Sequence, residues 1–371
     1  MSNKKIDLVK PTLVDWSEVE PLFAAVWQSG RLTVGPHTKA FEDAAAALMN
    51  VEHAIAVSSC TSGLMLAIRA LGLTGEVIIP SFTWSSTGHA VVWNGLTPIF
   101  ADVDPHTYTM DPADVARRLT PATSAILTAN AFGVYPDMAT LQKVADDAGL
   151  VLLSDSAQAI GATYRDRTGG GLCRAEVFSF SPTKVVTAVE GGLITTDDAD
   201  LAAKLRNMRD YGKNTAGDDV ESFGLSARLS EFHSIVGLTN LKRVDALIDA
   251  RARIVSAYRD AFADIDGLSF QTIPDGRRSS HNYFVIFLDR ERYDRDRVWK
   301  QLDAAGVQTK RYFYPPLHRQ GAYSDFPPPT PGLPITERAA AEALALPLYS
   351  HMATDDVELV CTRLRRILGV A

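Results

Sequence analysis

The chemistry in this chain is concentrated in short stretches that follow apolar runs. Phe178-Ser-Phe-Ser-Pro-Thr-Lys184 ends a strand-like run at Pro182 and sets a lysine where the chain must turn beside the end of a sheet. An amine held in a cleft there loses its proton at modest cost and becomes a nucleophile toward a carbonyl carbon. Leu150-Val-Leu-Leu-Ser-Asp155-Ser-Ala-Gln158 is a second apolar run, ending in a carboxylate with an amide three residues on. Asp155 could hold a protonated ring nitrogen and Gln158 could donate to a ring oxygen; equally, Asp155 could cap a following helix.

Two further stretches complete the set. Ser59-Cys-Thr-Ser-Gly63 falls between a strand and a helix start, where the Thr61 and Ser62 hydroxyls and free backbone N–H groups suit a phosphate, or serve as a plain N-cap. Phe82-Thr-Trp84 follows another strand and offers a flat apolar face for a ring, although taken alone a tryptophan is more often a core residue. A phosphate cradle, an aromatic platform, a carboxylate for a ring nitrogen and a lysine for an aldehyde are together the contacts that pyridoxal 5'-phosphate requires. Gly169-Gly-Gly171 lacks the G-x-G-x-x-G spacing of a dinucleotide fingerprint and reads as a flexible turn.

The elements that must position these residues alternate. Strand patterns cover 54–57, 76–80, 97–103, 124–130, 150–155, 176–181 and 193–196, with helical patterns between many of them, among them 39–49, 139–148 and 199–210. This predicts an α/β fold with a mostly parallel sheet of about seven strands, helices on both faces and the site at the strands' carboxyl ends. From Glu231 to about Ala263 the pattern is one long helix leading into a second unit. There 283–288 reads as a strand, and 294–305, 336–344 and 355–368 as helices. The expected division is a large cofactor-binding domain, 1–250, and a smaller C-terminal α+β domain, 251–371.

Composition narrows the classes of function. The chain has 371 residues and a net charge of −7, which argues against a general attraction to nucleic acid or anionic membrane. No apolar run approaches the roughly 20 residues of a membrane helix. Cys60, Cys173 and Cys361 form no ligand-like pattern, so no metal site is expected. With the polar start Met1-Ser-Asn-Lys-Lys they fit a reducing cytoplasm.

The order of motifs resembles the sugar aminotransferases of the DegT/DnrJ/EryC1/StrS family, a branch of fold-type I pyridoxal-phosphate enzymes. The likeness covers Gly35-Pro-x-x-x-x-Phe41-Glu42, Ser59-Cys-Thr-Ser, the segment from Glu76 to Trp84, Asp102-Val-Asp104, Asp155-Ser-Ala-Gln158, the Lys184 stretch, Glu190-Gly-Gly192 and Tyr314-Pro-Pro-Leu-His318. It implies that Lys184 bonds the cofactor aldehyde and Asp155 pairs with the ring nitrogen. Gln158 would bond the ring hydroxyl, Trp84 stack on the ring, and Thr61, Ser62 and Ser179 bind phosphate. It also implies a homodimer with shared sites, L-glutamate as amino donor and a nucleotide-linked keto sugar as acceptor.

Two positions depart from the family pattern: Ser181 stands where histidine is usual, and Ser226, in Gly224-Leu-Ser-Ala-Arg228, where an asparagine reaches the partner's phosphate. Serine is shorter and still donates a hydrogen bond. Lys184 argues against the related branch that carries histidine and performs deoxygenation. The segments Trp93-Asn-Gly-Leu-Thr-Pro98 and Arg311-Tyr-Phe-Tyr314 resemble enzymes acting at C-4 of a dTDP-4-keto-6-deoxyhexose; C-3 enzymes share most motifs, and a catalytically silent relative is the other alternative. Tyr314, His318 and Arg228 are candidate substrate contacts, with local packing or an ion pair of Arg228 with Glu231 as the bland readings.

Overall fold

The computed structural model describes residues 5–214 and 216–370, so the first four residues of the polar start lie outside it. Seven strands build the main sheet: β1 His53–Val57, β2 Glu76–Pro80, β3 Thr97–Ala101, β4 Thr123–Ala129, β5 Val151–Asp155, β6 Ala175–Ser179 and β7 Gly192–Thr196. Their order is β1-β7-β6-β5-β4-β2-β3. Only β7 is reversed: β2 with β3 and β4, β4 with β5, and β5 with β6 pair in parallel, whereas β7 runs antiparallel to both neighbours. The strands are short apolar runs rather than alternating ones because both faces are covered; Ile55, Val77, Ile79, Ile126, Leu153 and Val177 are all essentially inaccessible.

This topology gathers the carboxyl ends of β1, β2, β4, β5 and β6 on one edge of the sheet. The reversed β7 brings its amino end, Glu190-Gly-Gly192, to the same edge. Gly192 is required there: a Cβ would lie 2.4 Å from the Ser59 carbonyl carbon, so only glycine lets the chain after β1 pass so close.

A second sheet is antiparallel: β8 Leu268–Phe270, β9 Phe284–Leu288 and β10 Ala343–Leu346, with β9 in the middle. Its core joins Ile286, Leu288 and Leu344 to Tyr258, Phe262 and Leu364, and to Ile6 near the start of the chain. Ile6 pairs with Val307, donating to the Gly306 carbonyl at 2.8 Å.

Three expectations are corrected. The single helix over 231–263 is two, Glu231–Leu241 and Val244–Phe262, interrupted at Lys242 and Arg243. The second runs through residue 250, packing Val244 and Ile248 under the main sheet and Tyr258 and Phe262 under the small one. The helix read over 336–344 is Pro334–Glu342; Ala343 and Leu344 already belong to β10, where pairing with β9 outweighs the helix propensity of an Ala-Leu run. Finally, the glycine run at 169–171 is no flexible turn. Gly169 and Gly170 are buried, the Gly170 N–H donates to Glu176 at 2.7 Å, and a Cβ on Gly169 would collide with the Tyr135 hydroxyl.

Candidate active site

At the strand-end edge lies a cavity of about 310 Å³. After β1 the chain enters helix Cys60–Ala70 through a reciprocal cap. The Ser62 N–H donates to Ser59 Oγ at 3.1 Å, and the Ser59 N–H donates to Ser62 Oγ at 3.1 Å. The N-cap reading is therefore realised by Ser59 and Ser62. Ser59, Cys60 and Thr61 line the cavity, with the Thr61 hydroxyl 3.0 Å from Ser86 Oγ. Ser62 does not: its hydroxyl is spent on the cap and on the Ser59 carbonyl at 2.9 Å, which corrects its expected place in the cradle. The N–H groups of Cys60 and Thr61 open the helix, where a phosphate would find unpaired donors.

Asp155, at the end of β5, is only 6% exposed. No helix follows it, so it caps none; the Ala157 N–H donates to Oδ1 at 3.2 Å in a local turn. Thr87 donates to Oδ2 at 2.7 Å, and the Cys60 thiol lies 3.7 Å from Oδ1. Burial pushes the Asp155 carboxyl above the ordinary carboxylate range, partly opposed by these donors and the Lys184 charge. A carboxylate so placed, facing a cavity with only neutral groups bonded to it, fits a cationic ring nitrogen. Gln158 accepts the Phe132 N–H on Oε1 at 2.7 Å, which leaves its amide NH₂ as the donor for a ring oxygen.

Lys184 follows β6 through a tight turn, its N–H donating to the Ser181 carbonyl at 3.1 Å. Ser179, Ser181 and Lys184 all line the cavity. The Lys184 Nζ stands 6.0 Å from the centroid of Tyr283, a buried phenol. Burial alone would raise that phenol, but the Lys184 charge, hydrogen bonds with Thr183 and Tyr312, and Lys310 bring it below its ordinary value. Trp84 is no core residue: it is 51% exposed, lines the cavity and meets Tyr312 edge-on at 6.2 Å.

The structure thus gathers Lys184, Asp155, Thr61, Trp84, Gln158 and Ser179 around one space. It adds residues the sequence did not suggest. Tyr283 comes from just before β9, and Lys310 and Tyr312 from the segment that bridges to β10 at Ala345; the Lys310 ammonium sits 4.8 Å from the Trp84 ring and 4.7 Å from that of Tyr312. Tyr312 alone had a sequence signal, as part of the Arg311-Tyr-Phe-Tyr314 segment.

Besides Ser62, four expected residues stand elsewhere. His318 is enclosed between Ser81 Oγ at 2.7 Å and Glu337 at 2.9 Å, which uses both ring nitrogens for structure. Tyr314 is 49% exposed beside Arg295 and Arg311, outside the cavity. Arg228 pairs with Asp210 at 3.3 Å and covers the Tyr211 ring, rather than pairing with Glu231. Glu231 is buried and accepts the N–H groups of Gly35, His37 and Thr38. Ser226 is exposed on an extended strip that bridges to Asp210. Among the described residues no cluster suited to a metal ion occurs, and no helix is long and apolar enough to cross a membrane.

Known proteins share this sequence pattern and fold. The profile of the DegT/DnrJ/EryC1/StrS aminotransferase family matches residues 16–365. A solved structure of DesI in the presence of its TDP-sugar product superposes with a TM-score of 0.94 at 38% identity, over 99% of this chain and 94% of that one. The dTDP-3-amino-3,4,6-trideoxy-alpha-D-glucose transaminase of Streptomyces venezuelae is 34% identical over 91% of this chain and 88% of its own. The dTDP-4-amino-4,6-dideoxy-D-glucose transaminase of Escherichia coli is 28% identical over the whole of both. With this match across nearly the whole chain, the chain belongs to the DegT/DnrJ/EryC1/StrS aminotransferase family and is a pyridoxal-phosphate-dependent sugar-nucleotide aminotransferase.

Proposed function

We propose that this enzyme transfers the amino group of L-glutamate to C-4 of dTDP-4-keto-6-deoxy-D-glucose, as a cytoplasmic homodimer with shared active sites. The observation that carries the chemistry is Lys184 and Asp155 on one cavity, with the Ser59–Thr61 helix start beside them. Pyridoxal phosphate, when bound, supplies the electron sink. Lys184 would hold it at its aldehyde carbon and, as a free amine, would serve as the base for the donor's α-proton. General base help of this kind contributes about 10² to 10⁴-fold. Asp155 would keep the ring nitrogen protonated, Gln158 would donate to the ring hydroxyl, Trp84 would flank the ring, and Thr61 and Ser179 would hold phosphate. The oxo acid leaves before the sugar binds, so the kinetics are ping-pong.

Ser226 and Arg228 would serve a neighbouring subunit rather than their own. Both lie outside the cavity of their own chain, on a strip whose Ala227 carbonyl accepts the Ser58 N–H beside the cradle. The C-4 assignment rests on the Arg311–Tyr314 segment, of which Tyr312 and Phe313 line the cavity. The Streptomyces relative favours C-3 as the second reading. Incubation with L-glutamate and a panel of dTDP- and GDP-linked 3-keto and 4-keto sugars, followed by NMR of the product, separates these. A 4-amino dTDP sugar is expected. A 3-amino product, or turnover only of GDP sugars, would overturn the assignment, and no half-reaction with L-glutamate would point to a silent relative.

A further inference from the structure

Behind the cavity, out of reach of any ligand, Thr87 lies fully buried in the first turn of helix Ser85–Trp93, the helix that begins directly after Trp84. Its Oγ1 is 2.7 Å from Asp155 Oδ2 and 3.1 Å from Thr83 Oγ1. An ionised carboxylate only accepts, so the single Thr87 proton points to Asp155, and the Thr83 hydroxyl must then donate to Thr87. The result is a directed chain from Thr83 through Thr87 to Asp155. The other donors to this carboxylate are weaker: the Ala157 N–H at 3.2 Å and a thiol at 3.7 Å, both on Oδ1.

We propose that Thr87 is a positioning residue for the cofactor: its hydroxyl orients Asp155 and keeps it ionised opposite the ring nitrogen. The inference rests on the reading of Asp155 given above. The need for such a donor is physical. Burial favours the neutral acid, and a neutral Asp155 cannot balance a protonated ring; a short hydroxyl donor stabilises the charged form without introducing a competing cation. Thr87 does not itself line the cavity and acts through the groups it bonds, Asp155 and Thr83; Thr83 also lines the cavity, so the comparison of two ligands differing only at the ring nitrogen isolates the part that passes through Asp155. The same short helix therefore follows the aromatic platform and carries the group that fixes the carboxylate.

The test compares holoenzyme reconstituted with pyridoxal phosphate or with its 1-deaza analogue, which has carbon in place of the ring nitrogen. Thr87→Val keeps the shape and removes the hydroxyl; Thr87→Ser restores it. Thr87→Val should weaken pyridoxal phosphate about tenfold and leave the 1-deaza analogue within about twofold, while Thr87→Ser stays within about threefold of the parent for both. Equal weakening of both ligands would mark Thr87 as merely structural, and no weakening of either would show that it does not act; both results overturn the proposal. Asp155→Asn is the control. It should abolish the preference for pyridoxal phosphate over the analogue, and if that preference survived, the Asp155 reading would fail first and the Thr87 proposal with it.

Discussion

Asp155 and Arg251 are both charged side chains held almost wholly out of water, and neither has an ion-pair partner within 4 Å among the described residues. Burial acts on both in the same sense, toward neutrality: it raises the Asp155 carboxyl and lowers the Arg251 guanidinium to about 10. Their surroundings differ. Arg251 is met by Ser350 Oγ at 3.1 Å and the carbonyls of His281 and Asn282 at 3.2 and 3.0 Å, acceptors that tie helix Val244–Phe262 to the start of β9. Asp155 has donors on its protein side and a cavity on the other. A buried charge surrounded by fixed dipoles holds the fold together, whereas one left facing a cavity holds a ligand of opposite charge.

Substitutions at the two sites should therefore fail in opposite ways. Asp155→Ala should weaken pyridoxal phosphate binding about 10² to 10³-fold, the cost of breaking a buried charge pair, without lowering the melting temperature of the cofactor-free chain. A lower melting temperature with unchanged affinity would put Asp155 in the same class as Arg251. Arg251→Met should do the reverse, costing about 3 kcal/mol of stability as buried acceptors lose their donor, with cofactor affinity unchanged in a spectroscopic titration.

The pH dependence sharpens the contrast. His281 is pushed down to about 4, first by burial and then by the charges of Arg259, Arg251 and Arg278. Its folded value lies below its unfolded one, so the fold keeps it neutral while the unfolded chain takes up a proton. That stability is present above about pH 6.5 and is lost as pH falls toward 4, about 2 kcal/mol of it between pH 6.5 and 5. Urea unfolding at stepped pH should show this slope. His281→Asn, which suits the local φ of +50°, should flatten it. The smallest effect belongs to Cys60→Ala, since a thiol at 3.7 Å from Asp155 is a weak donor; cofactor affinity should change by less than about threefold.

What the sequence disclosed follows the same division. Lys184, Asp155, Gln158, Thr61 and Trp84 sit within a few residues of strand ends, so apolar runs and their terminators were enough to place them. Tyr283, Lys310 and Tyr312 reach the cavity only through the packing of the small sheet against the large one, which no local pattern records. Thr87 was invisible for a related reason: its partner is 68 residues away. His318 and Tyr314 were read from a proline-rich motif whose neighbours in space, Ser81, Glu337 and two arginines, could not be inferred from spacing. Ala343 and Leu344, the first two residues of strand Ala343–Leu346, read as helix because only pairing with β9 and Lys310 decides the conformation of an Ala-Leu repeat.

The central claim is that Lys184 is the amine that holds the cofactor. Two lysines line the cavity, Lys184 and Lys310, so the site of attachment separates them. Borohydride reduction of the holoenzyme followed by peptide mass mapping should find the pyridoxyl group on the peptide containing Lys184; a label on Lys310, or no label on a protein that holds the cofactor, would contradict the account.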